Sequence, residues 1–551
     1  MRALGPSLFL AFLATPALAQ GTVPDVWSSK VTSRTPDGWY AAPIHGTLLP
    51  DGRLLFIGVE RDTEDPLLAT GRRKGAWVLT PDVAFAPLPS EIVVQELVEP
   101  MDIDNDPTLV PGSLVDDDLE CTGQSLLADG RLFTAGGTRW TRLIGGGATS
   151  VIGLSYATLF DGAAWTRVAS EMLAIGPLGS TARWYPTVTR LWDGRMLVMC
   201  GEEWLYPGPY KNRSVEAFDP SSGTWQVLSP YGEPPVEIEN PDYTHAFVLP
   251  EPIGTNDLLM TGKFSVPVLY SLDSLPHWTV FPDPRPGAVL GQVPNNGASS
   301  ALLPIRVQEG EWGYANGSML VAGGQENTLF PETVDAYDPI AQGWFVRVAT
   351  GVPRVHPSTV ILPDGRLLVV AGHSDTGDPG QKQAGYVDPA NGFAHALGIS
   401  STPEFRGYHT VTLLLPDGRV FVGGGRDLDL TGSLEKPDFR YLYPDYCFQP
   451  RPAILSAPAV LRYGRSFSVT TSGKKPREVV LVALGSMTHS FDFDQRHVEL
   501  ALTKAQKLPS RPHELQVRAP ANARVAPPGH YMLFVLDADR VPSVARILRL
   551  E

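Results

Sequence analysis

One short phrase returns along this chain: an apolar run, then Asp-Gly-Arg, then a second apolar run that ends in small residues. Asp-Gly or Asn-Gly between two apolar strands is a strong hairpin signal, because both central residues of a type I′ turn need φ > 0. We therefore predict a β-hairpin at every copy of the phrase. Five full copies and two degenerate ones occur, at Asp51-Gly52-Arg53, Asp129-Gly130-Arg131, Asp193-Gly194-Arg195, Asp364-Gly365-Arg366, Asp417-Gly418-Arg419, Asn256-Asp257 and Asn316-Gly317-Ser318.

The spacing of the copies indicates how many strands each repeat holds. Successive copies stand 48 to 78 residues apart, which is room for one four-stranded blade with insertions in the early repeats. Outer-strand segments then carry an aromatic residue at Trp225, Trp344 and Phe393. Seven such units predict a closed β-propeller, which leaves no long bare sheet edge. An array of β-sandwiches is the alternative, but it predicts shorter, even spacing and no recurring phrase.

The pattern changes near residue 448. Gln449-Pro450-Arg451-Pro452 is typical of a linker, no Asp-Gly-Arg phrase follows it, and the last hundred residues alternate like a β-sandwich. We predict an all-β chain, with a seven-bladed kelch-like β-propeller over 20–448 and an Ig-like β-sandwich domain over 449–551. Residues 20–40 are too few for a domain, and we expect them to supply the strand that closes the last blade.

Composition excludes several classes of partner. The formal net charge is −15 and no basic stripe occurs, so nucleic acid and anionic membranes are not expected partners. Residues 1–19 have the pattern of a secretory signal peptide that ends in Ala17-Leu18-Ala19, and we expect export from the cytoplasm. No later apolar run approaches 18 residues, so we predict no membrane span.

Three cysteines in 551 residues do not make a disulfide scaffold. Cys200 ends an inner strand, and we assign it to packing. Cys447 lies at the domain junction, where a bond to Cys200 remains an alternative. Cys121 differs from both, because its place in the repeat coincides with that of other chemically active residues.

The repeat predicts that distant residues meet. In a propeller the innermost strand of each blade lines the axis, so equivalent positions in different blades lie at one end of the channel. Eight residues before the Asp of a turn stand Cys121, Tyr185, His356 and His409, with Tyr408 beside the last. Imidazoles and phenolates form a nitrogen and oxygen donor set that suits Cu(II). A second imidazole would come from the following domain, at His489 between two of its strands.

Each of these residues also has a structural reading. A lone Cys in an inner strand is usually a buried apolar residue, and Tyr185 without its neighbours would be a core aromatic. His356 and His45, which stands six residues before Asp51, are interpreted as structural histidines, with substrate contact as the alternative. The arginines of the recurring phrase belong to the turn.

Several segments resemble the copper-radical oxidases, the family of galactose oxidase and glyoxal oxidase. Five functional positions match in order, and Arg183-Trp184-Tyr185 is similar to the glyoxal oxidase version of its segment. The matching segments are Cys121-Thr122-Gly123, residues 183–187, residues 405–421 around Tyr408-His409, residues 488–496 around His489, and residues 527–543.

The resemblance implies one copper ion per chain, with His409, His489 and the Tyr185 phenolate as equatorial ligands and Tyr408 as the axial phenolate. It also implies a thioether bond between Cys121 and Tyr185, a unit that carries a radical when it is oxidised. Tyr408 would act as general base on the bound substrate, and Tyr185 would take the hydrogen atom from carbon. Dioxygen would reoxidise the site and be reduced to hydrogen peroxide.

The implied function is a secreted oxidase that acts on small aldehydes, as their hydrates, or on primary alcohols. Its partners would be that small molecule and O2, a peroxidase would be a consumer of the peroxide, and we expect a monomer. The aromatic residue that shields the radical would be Trp204 or its competitor Trp184, and a buried core role is the alternative for either.

Two other functions compete with this reading. A non-catalytic kelch-like propeller that binds glycans or a partner protein has no need for Cys121, Tyr185, Tyr408, His409 and His489 together. A propeller hydrolase or lyase with another metal would need clustered carboxylates, and the inner-strand positions offer none.

Overall fold

The computed structural model consists almost entirely of β-strands, as the sequence predicts. The described part contains two short 3-10 helices, Pro389–Asn391 and Asp445–Phe448. The described residues are 26–63, 72–82, 88–97, 113–143, 150–204, 210–230, 232–235, 242–254, 256–261, 266–286, 297–308, 311–324, 333–350, 352–373, 383–401, 404–426, 435–507 and 512–551. The predicted signal peptide at 1–19 lies outside them.

Every full copy of the recurring phrase turns a hairpin, but the predicted turn type is wrong. Gly52 has φ of +87°, whereas Asp51 is absent from the residues with positive φ. Gly52 N–H donates to Leu49 O, and Leu49 N–H donates to Arg53 O at 2.8 Å. The loop therefore has three residues that end in a left-handed glycine, rather than two residues in a type I′ turn. The phrase's Arg donates back to its own Asp, as Arg53 does to Asp51 at 2.7 Å.

Four-stranded antiparallel units recur seven times in the described residues. Each unit starts with the strand that precedes a hairpin of the phrase. Their strands are, unit by unit, Tyr40–Leu48, Leu54–Arg61, Arg72–Leu79 and Gln95–Leu97; Gly123–Leu126, Leu132–Ala135, Ala157–Phe160 and Trp165–Arg167; Thr187–Arg190, Met196–Met199, Val215–Asp219 and Thr224–Ser229; His245–Ile253, Asn256–Thr261, Val268–Tyr270 and Trp278–Val280; Ser299–Leu302, Met319–Ala322, Thr333–Asp338 and Gly343–Ala349; Ser358–Ile361, Leu367–Val370, Gln383–Asp388 and Ala394–Ser401; Thr410–Leu414, Val420–Gly424, Asp438–Tyr443 and Val31–Arg34.

The seventh unit is built from both ends of this region. Val31 pairs with Phe439, and Arg34 of the same strand pairs with Tyr40 at the start of the first unit. Residues before position 40 therefore complete the last unit, as the sequence predicts. Two further strands extend this edge, Val26–Trp27 beside Asp438–Tyr443 and Glu91–Val93 parallel to Val31–Arg34.

An additional five-stranded sheet holds the insertions of the second and third repeats. Trp184 joins it through an isolated bridge to Glu202. Its strands are Ser113–Asp118, Thr138–Leu143, Ser150–Gly153, Glu202–Trp204 and Tyr210–Lys211.

The chain after residue 448 forms two more sheets and one inserted hairpin. One sheet contains Ala453–Ser456, Ser466–Ser472, His513–Arg518 and Leu502–Lys507, and the other contains Val460–Leu461, Arg546–Leu550, Gly529–Asp537, Pro476–Ala483 and His497–Glu499. The hairpin, Ser486–Thr488 and Phe491–Asp492, leaves these sheets and pairs with the first strand of the first unit. It also contacts the first strands of the second, fifth, sixth and seventh units.

The residues after the hairpin attach it to several units at once. Asp494 accepts from Leu126 N–H and from the Ser125 hydroxyl. Gln495 accepts from Leu302 N–H at 3.0 Å, and Arg496 donates to Val248 O at 2.8 Å. Because these partners belong to the second, fourth and fifth units, they fix how far the hairpin extends between the units.

Apolar residues fill the units and the spaces between them. Trp225 of the third unit lies 6.1 Å from Phe133 of the second, ring centre to ring centre, so the predicted aromatic packs between units. Cys200 and Cys447 are both buried and neither forms a disulfide, so the alternative bond between them is wrong. No helix within the described ranges is long and apolar enough to cross a membrane.

Buried arginines hold the loops that precede the first strands. Arg183 donates to Cys200 O at 2.7 Å and to the Glu216 carboxylate at 2.8 Å, and both members of this ion pair are fully buried. Arg406 uses the same device in the seventh unit, with Gly424 O and Asp438 as its partners. These clamps fix the segments that lead into Tyr185 and Tyr408.

Replacing Glu216 by Ala leaves the Arg183 charge buried without its carboxylate. Because breaking a buried pair from one side is costly, we expect unfolding to require about 3–5 kcal/mol less. Urea denaturation of the purified chain measures this. Glu171→Ala, which removes the exposed partner of Arg167, is the control and should cost about 0–1 kcal/mol. Equal losses in the two variants would contradict the clamp.

Candidate metal centre

Six of the seven units, the second to the seventh, each bring one residue to the candidate site, and we call these the entry residues. Each stands one or two positions before the first strand of its unit and has a left-handed backbone, with φ between +45° and +74°. For residues with a Cβ this conformation is strained, so the surrounding structure must impose it. From the second unit to the seventh, the entry residues are Cys121, Tyr185, Tyr243, Gly297, His356 and His409.

Backbone hydrogen bonds join entry residues of neighbouring units. Tyr185 N–H donates to Cys121 O at 2.9 Å, and Tyr243 N–H donates to Tyr185 O at 2.9 Å. His356 N–H donates to Gly297 O at 2.7 Å. Sequence positions about 60 residues apart are thus main-chain neighbours, which brings their side chains together.

Tyr185 and Tyr408 meet at their hydroxyl groups. The two phenol oxygens lie 2.6 Å apart and share a hydrogen bond. Burial raises the pKa of both phenols well above the ordinary value, and the neighbouring Cys121 raises them further. Both hydroxyls therefore keep their protons at neutral pH in the metal-free protein.

The two predicted histidine ligands lie beside these phenols. The imidazole centres of His409 and His489 are 4.4 Å apart, and His489 lies 5.0 Å from the Tyr185 ring and 4.8 Å from the Tyr408 ring. His489 and Ser490 have φ of +47° and +73° between Thr488 and Phe491. A two-residue turn with both φ positive is the type I′ turn, so the hairpin presents His489 at its tip.

Cys121 lies next to Tyr185. Burial followed by the charge of Glu120 raises the pKa of its thiol well above the usual value, and the neighbouring Tyr185 side chain partly opposes this shift. Cys121 N–H donates to Nε2 of His45 at 3.1 Å. His45 thus holds the backbone of Cys121, and burial lowers its pKa to about 3, so this imidazole is neutral.

Trp184 covers the Tyr185 ring. The ring centres are 3.9 Å apart with planes tilted by 34°, and Trp184 Nε1–H donates to the Thr138 hydroxyl at 3.0 Å. Trp204 pairs its backbone with Ile152, and its side chain lies outside the description. Trp184, one of the two predicted aromatics, is therefore in contact with Tyr185.

His356 packs against Tyr408 in the same cluster. Its imidazole lies 4.9 Å from the Tyr408 ring and 5.6 Å from His373. A Cβ on Gly297 would come within 2.7 Å of the His356 ring, so the glycine makes room for it.

Tyr243 also belongs to the site and was not predicted from the sequence. Its ring lies 4.9 Å from Tyr185 and 4.7 Å from His489, and its hydroxyl donates to Thr122 O at 2.9 Å. The turn at Asn256-Asp257 follows a nine-residue strand, so a count of eight residues back from it does not reach Tyr243. Its position before an apolar strand, in the phase of Tyr185, was the available signal.

Buried carboxylates were missed as well. Glu435 accepts from Nδ1 of His409 at 2.9 Å, and ligand atoms of Glu120, His409 and Glu435 lie within 4.8 Å of one another. The expectation that carboxylates do not cluster here is therefore wrong. Neither glutamate stands at a position that the eight-residue count samples. Glu120, for example, is one residue before Cys121.

The donor set can hold one transition-metal ion. Two imidazoles and two phenol oxygens converge from three separate stretches of chain, and the Nδ1 atoms of His409 and His489 are engaged by Glu435 and Thr488. Nε2 is then the nitrogen that each ring would present to a metal. Such a mixed nitrogen and oxygen set suits Cu(II).

Comparison with known proteins finds relatives along most of the chain. The family model "Galactose oxidase-like, Early set domain" matches residues 451–550. Aldehyde oxidase GLOX1 of Arabidopsis thaliana is 26% identical over 475 residues, which cover 79% of this chain and 71% of that protein. Galactose oxidase of Gibberella zeae is 28% identical over 214 residues, which cover 36% of this chain and 29% of that protein.

A solved structure shares the fold along nearly the whole chain. A fungal alcohol oxidase in complex with copper matches with a TM-score of 0.68 at 19% identity, covering 96% of this chain and 100% of that chain. The named relatives and the family-model match support the resemblance to the copper-radical oxidases, the family of galactose oxidase and glyoxal oxidase.

Replacing Tyr243 by Phe or by Ala separates the contribution of its hydroxyl to stability from that of its ring. Tyr243→Phe leaves Thr122 O without this donor, and we expect a loss of about 1–3 kcal/mol in unfolding free energy. Tyr243→Ala also removes the ring that packs against both Tyr185 and His489, and the cavity raises the loss to about 3–5 kcal/mol. Urea denaturation of the metal-free protein distinguishes the two. Identical losses would show that the ring contributes nothing to the packing of the site.

Proposed function

We propose that this protein uses one copper ion and a Cys121–Tyr185 radical to oxidise small aldehydes, as their hydrates, or primary alcohols. Oxygen is the electron acceptor and hydrogen peroxide the product. The observation that carries the proposal is the 2.6 Å contact between the Tyr185 and Tyr408 oxygens, beside the imidazoles of His409 and His489.

Tyr185, Tyr408, His409 and His489 would hold the copper ion. When bound, copper supplies one-electron redox chemistry and a Lewis acid to which the substrate oxygen can bind. Neutral imidazoles and deprotonated phenols are the forms that bind metals, so loading releases the protons that both phenols hold in the metal-free site.

The two tyrosines would divide the reaction. Tyr408 would take the proton of the substrate hydroxyl as general base, and the oxidised Tyr185 would take a hydrogen atom from the adjacent carbon. Because their oxygens are 2.6 Å apart, one small molecule can reach both. Trp184, which lies against the Tyr185 ring, would exclude water from the radical.

A thioether between Cys121 and Tyr185 would make that radical accessible. Tyr185 N–H donates to Cys121 O at 2.9 Å, and the thiol and the phenol are buried close enough for each to shift the pKa of the other. Bond formation removes one hydrogen from sulfur and one from carbon, and O2 accepts both with their electrons. A sulfur substituent on the ring lowers the potential at which the phenol loses an electron.

The finer architecture belongs to the same proposal. We place a closed seven-bladed kelch-like propeller at 20–448 and an Ig-like domain at 449–551 that donates His489. Completion of the seventh unit by Val31–Arg34 and its pairing with the first unit support closure. The family-model match at 451–550 supports the boundary. Residues 1–19 would direct secretion.

Substrate class follows from relatives and from the site. The names aldehyde oxidase and galactose oxidase, on proteins 26–28% identical, support an aldehyde or a primary alcohol. A small molecule and O2 would be the partners of a monomeric enzyme, and a peroxidase would consume its peroxide. A non-catalytic propeller that binds glycans or a protein gives no reason for two phenol oxygens and two imidazoles to meet.

We expect copper loading under air to join Cys121 to Tyr185. Digestion followed by mass spectrometry should find one cross-linked peptide, lighter by two hydrogen atoms than its two parts, and Cys121→Ser should lack it. Cys200→Ser, which changes another buried thiol, is the control and should retain the cross-link. An unmodified Cys121 thiol after full loading would exclude the radical mechanism.

Replacing Tyr408 by Phe removes the proposed general base. We expect kcat to fall by about 10²- to 10⁴-fold, because a positioned base contributes that much, while the cross-link still forms. Peroxide release from methylglyoxal, glyoxal, glycerol and galactose measures this and ranks the substrates. Tyr441→Phe removes a hydroxyl elsewhere in the seventh unit and should keep wild-type turnover. Full activity of Tyr408→Phe would assign the base to another group.

A further inference from the structure

We infer that Glu435 and Arg426 act as a pair that positions two neighbouring metal-binding residues, His409 and Tyr408, at the same time. The inference rests on the proposed copper site. It concerns how the chain holds the two ligands of the seventh unit, which are adjacent in sequence and must nevertheless face one ion.

Glu435 fixes the orientation of the His409 ring. Its Oε1 lies 2.9 Å from Nδ1 of His409, and the glutamate is completely buried. An ionised carboxylate only accepts hydrogen bonds, so Nδ1 carries the proton and Nε2 has the lone pair. A carboxylate on the remote nitrogen of a metal-binding histidine sets both tautomer and ring angle.

Arg426 holds the carboxylate in turn. Its Nε and Nη2 both donate to the same Oε1 of Glu435, at 2.8 Å and 2.5 Å. Burying a carboxylate without a cation is costly, and here Glu120 lies close enough to repel it. The guanidinium therefore stabilises Glu435 in the form that accepts from His409.

The same guanidinium reaches Tyr408. Its central carbon lies 5.4 Å from the centre of the Tyr408 ring, within the range of cation–π contact. The backbones are also tied, because Arg426 N–H donates to Tyr408 O at 3.0 Å and Gly407 N–H donates to Arg426 O at 2.9 Å. One arginine thus contacts Tyr408 directly and His409 through Glu435.

A second reading of the cluster is a cation site of its own, with Glu120, His409 and Glu435 as ligands. The arginine argues against it. A guanidinium that donates twice to Glu435 Oε1 already supplies the positive charge that a second ion would bring. We therefore assign Glu435 as a positioning residue for a single copper ion.

The test measures copper binding rather than turnover. Copper titration against a chelator gives the affinity and the number of ions per chain, and electron paramagnetic resonance of Cu(II) reports the geometry. For Glu435→Ala we expect affinity to fall about 10- to 100-fold with an altered spectrum, since the ring loses its partner. Glu435→Gln keeps an oxygen that can accept from Nδ1–H, and it should recover most of the affinity.

Two controls separate folding from positioning. Glu404→Gln removes another carboxylate of the seventh unit, one that pairs with Arg440, and should leave affinity and spectrum as in wild type. Urea denaturation of each metal-free variant gives the stability.

Arg426→Gln should shift the Tyr408-to-copper charge-transfer absorption to longer wavelength, because the ring loses a nearby positive charge. A purely structural role would move stability alone.

The outcomes distinguish the inference from the proposed function. If wild type binds one copper ion and Glu435→Ala binds it equally well with an unchanged spectrum, the inference fails and the proposed function stands. If wild type binds two ions and the variant loses one, Glu435 is a ligand and the positioning role is wrong. If wild type binds no copper, both fail together.

Discussion

The left-handed backbone at the entry residues is the constraint on which the site depends. A residue with a Cβ avoids this conformation, and each instance costs on the order of 1–3 kcal/mol. The cost is offset by main-chain hydrogen bonds between units, such as Tyr185 N–H to Cys121 O, and by buried clamps such as Arg183 with Glu216. Side chains just before the first strands thus point toward a common centre.

Much of this arrangement could be predicted from the sequence. The Asp-Gly-Arg phrase marks a hairpin of constant length, so a count of eight residues back reaches the equivalent position in four units, at Cys121, Tyr185, His356 and His409. The count failed at Tyr243, because the strand after it runs nine residues to an irregular turn. The turn type was also wrong, because Asp-Gly fits a three-residue loop as well as a two-residue one.

Other parts could not be predicted, for physical reasons. Glu435 approaches His409 from another strand end, and no periodicity relates the two positions. The depth of His489 depends on Asp494, Gln495 and Arg496, whose partners belong to three different units. A sequence records each of these polar residues but not which distant peptide group it will meet. The sequence placed His489 between two strands of the following domain, and the structure gives the reason it reaches the centre.

The main-chain bonds between entry residues have a consequence for how such a centre changes over time. Main-chain hydrogen bonds hold the backbone at each entry position, so the backbone keeps its geometry when the side chain there is substituted. Gly297 is the entry residue of the fifth unit and contributes no functional group, and the His356 ring fills the space that a side chain there would take. Substitutions at single entry positions can therefore change the chemistry of the centre one unit at a time, while the surrounding fold keeps its shape.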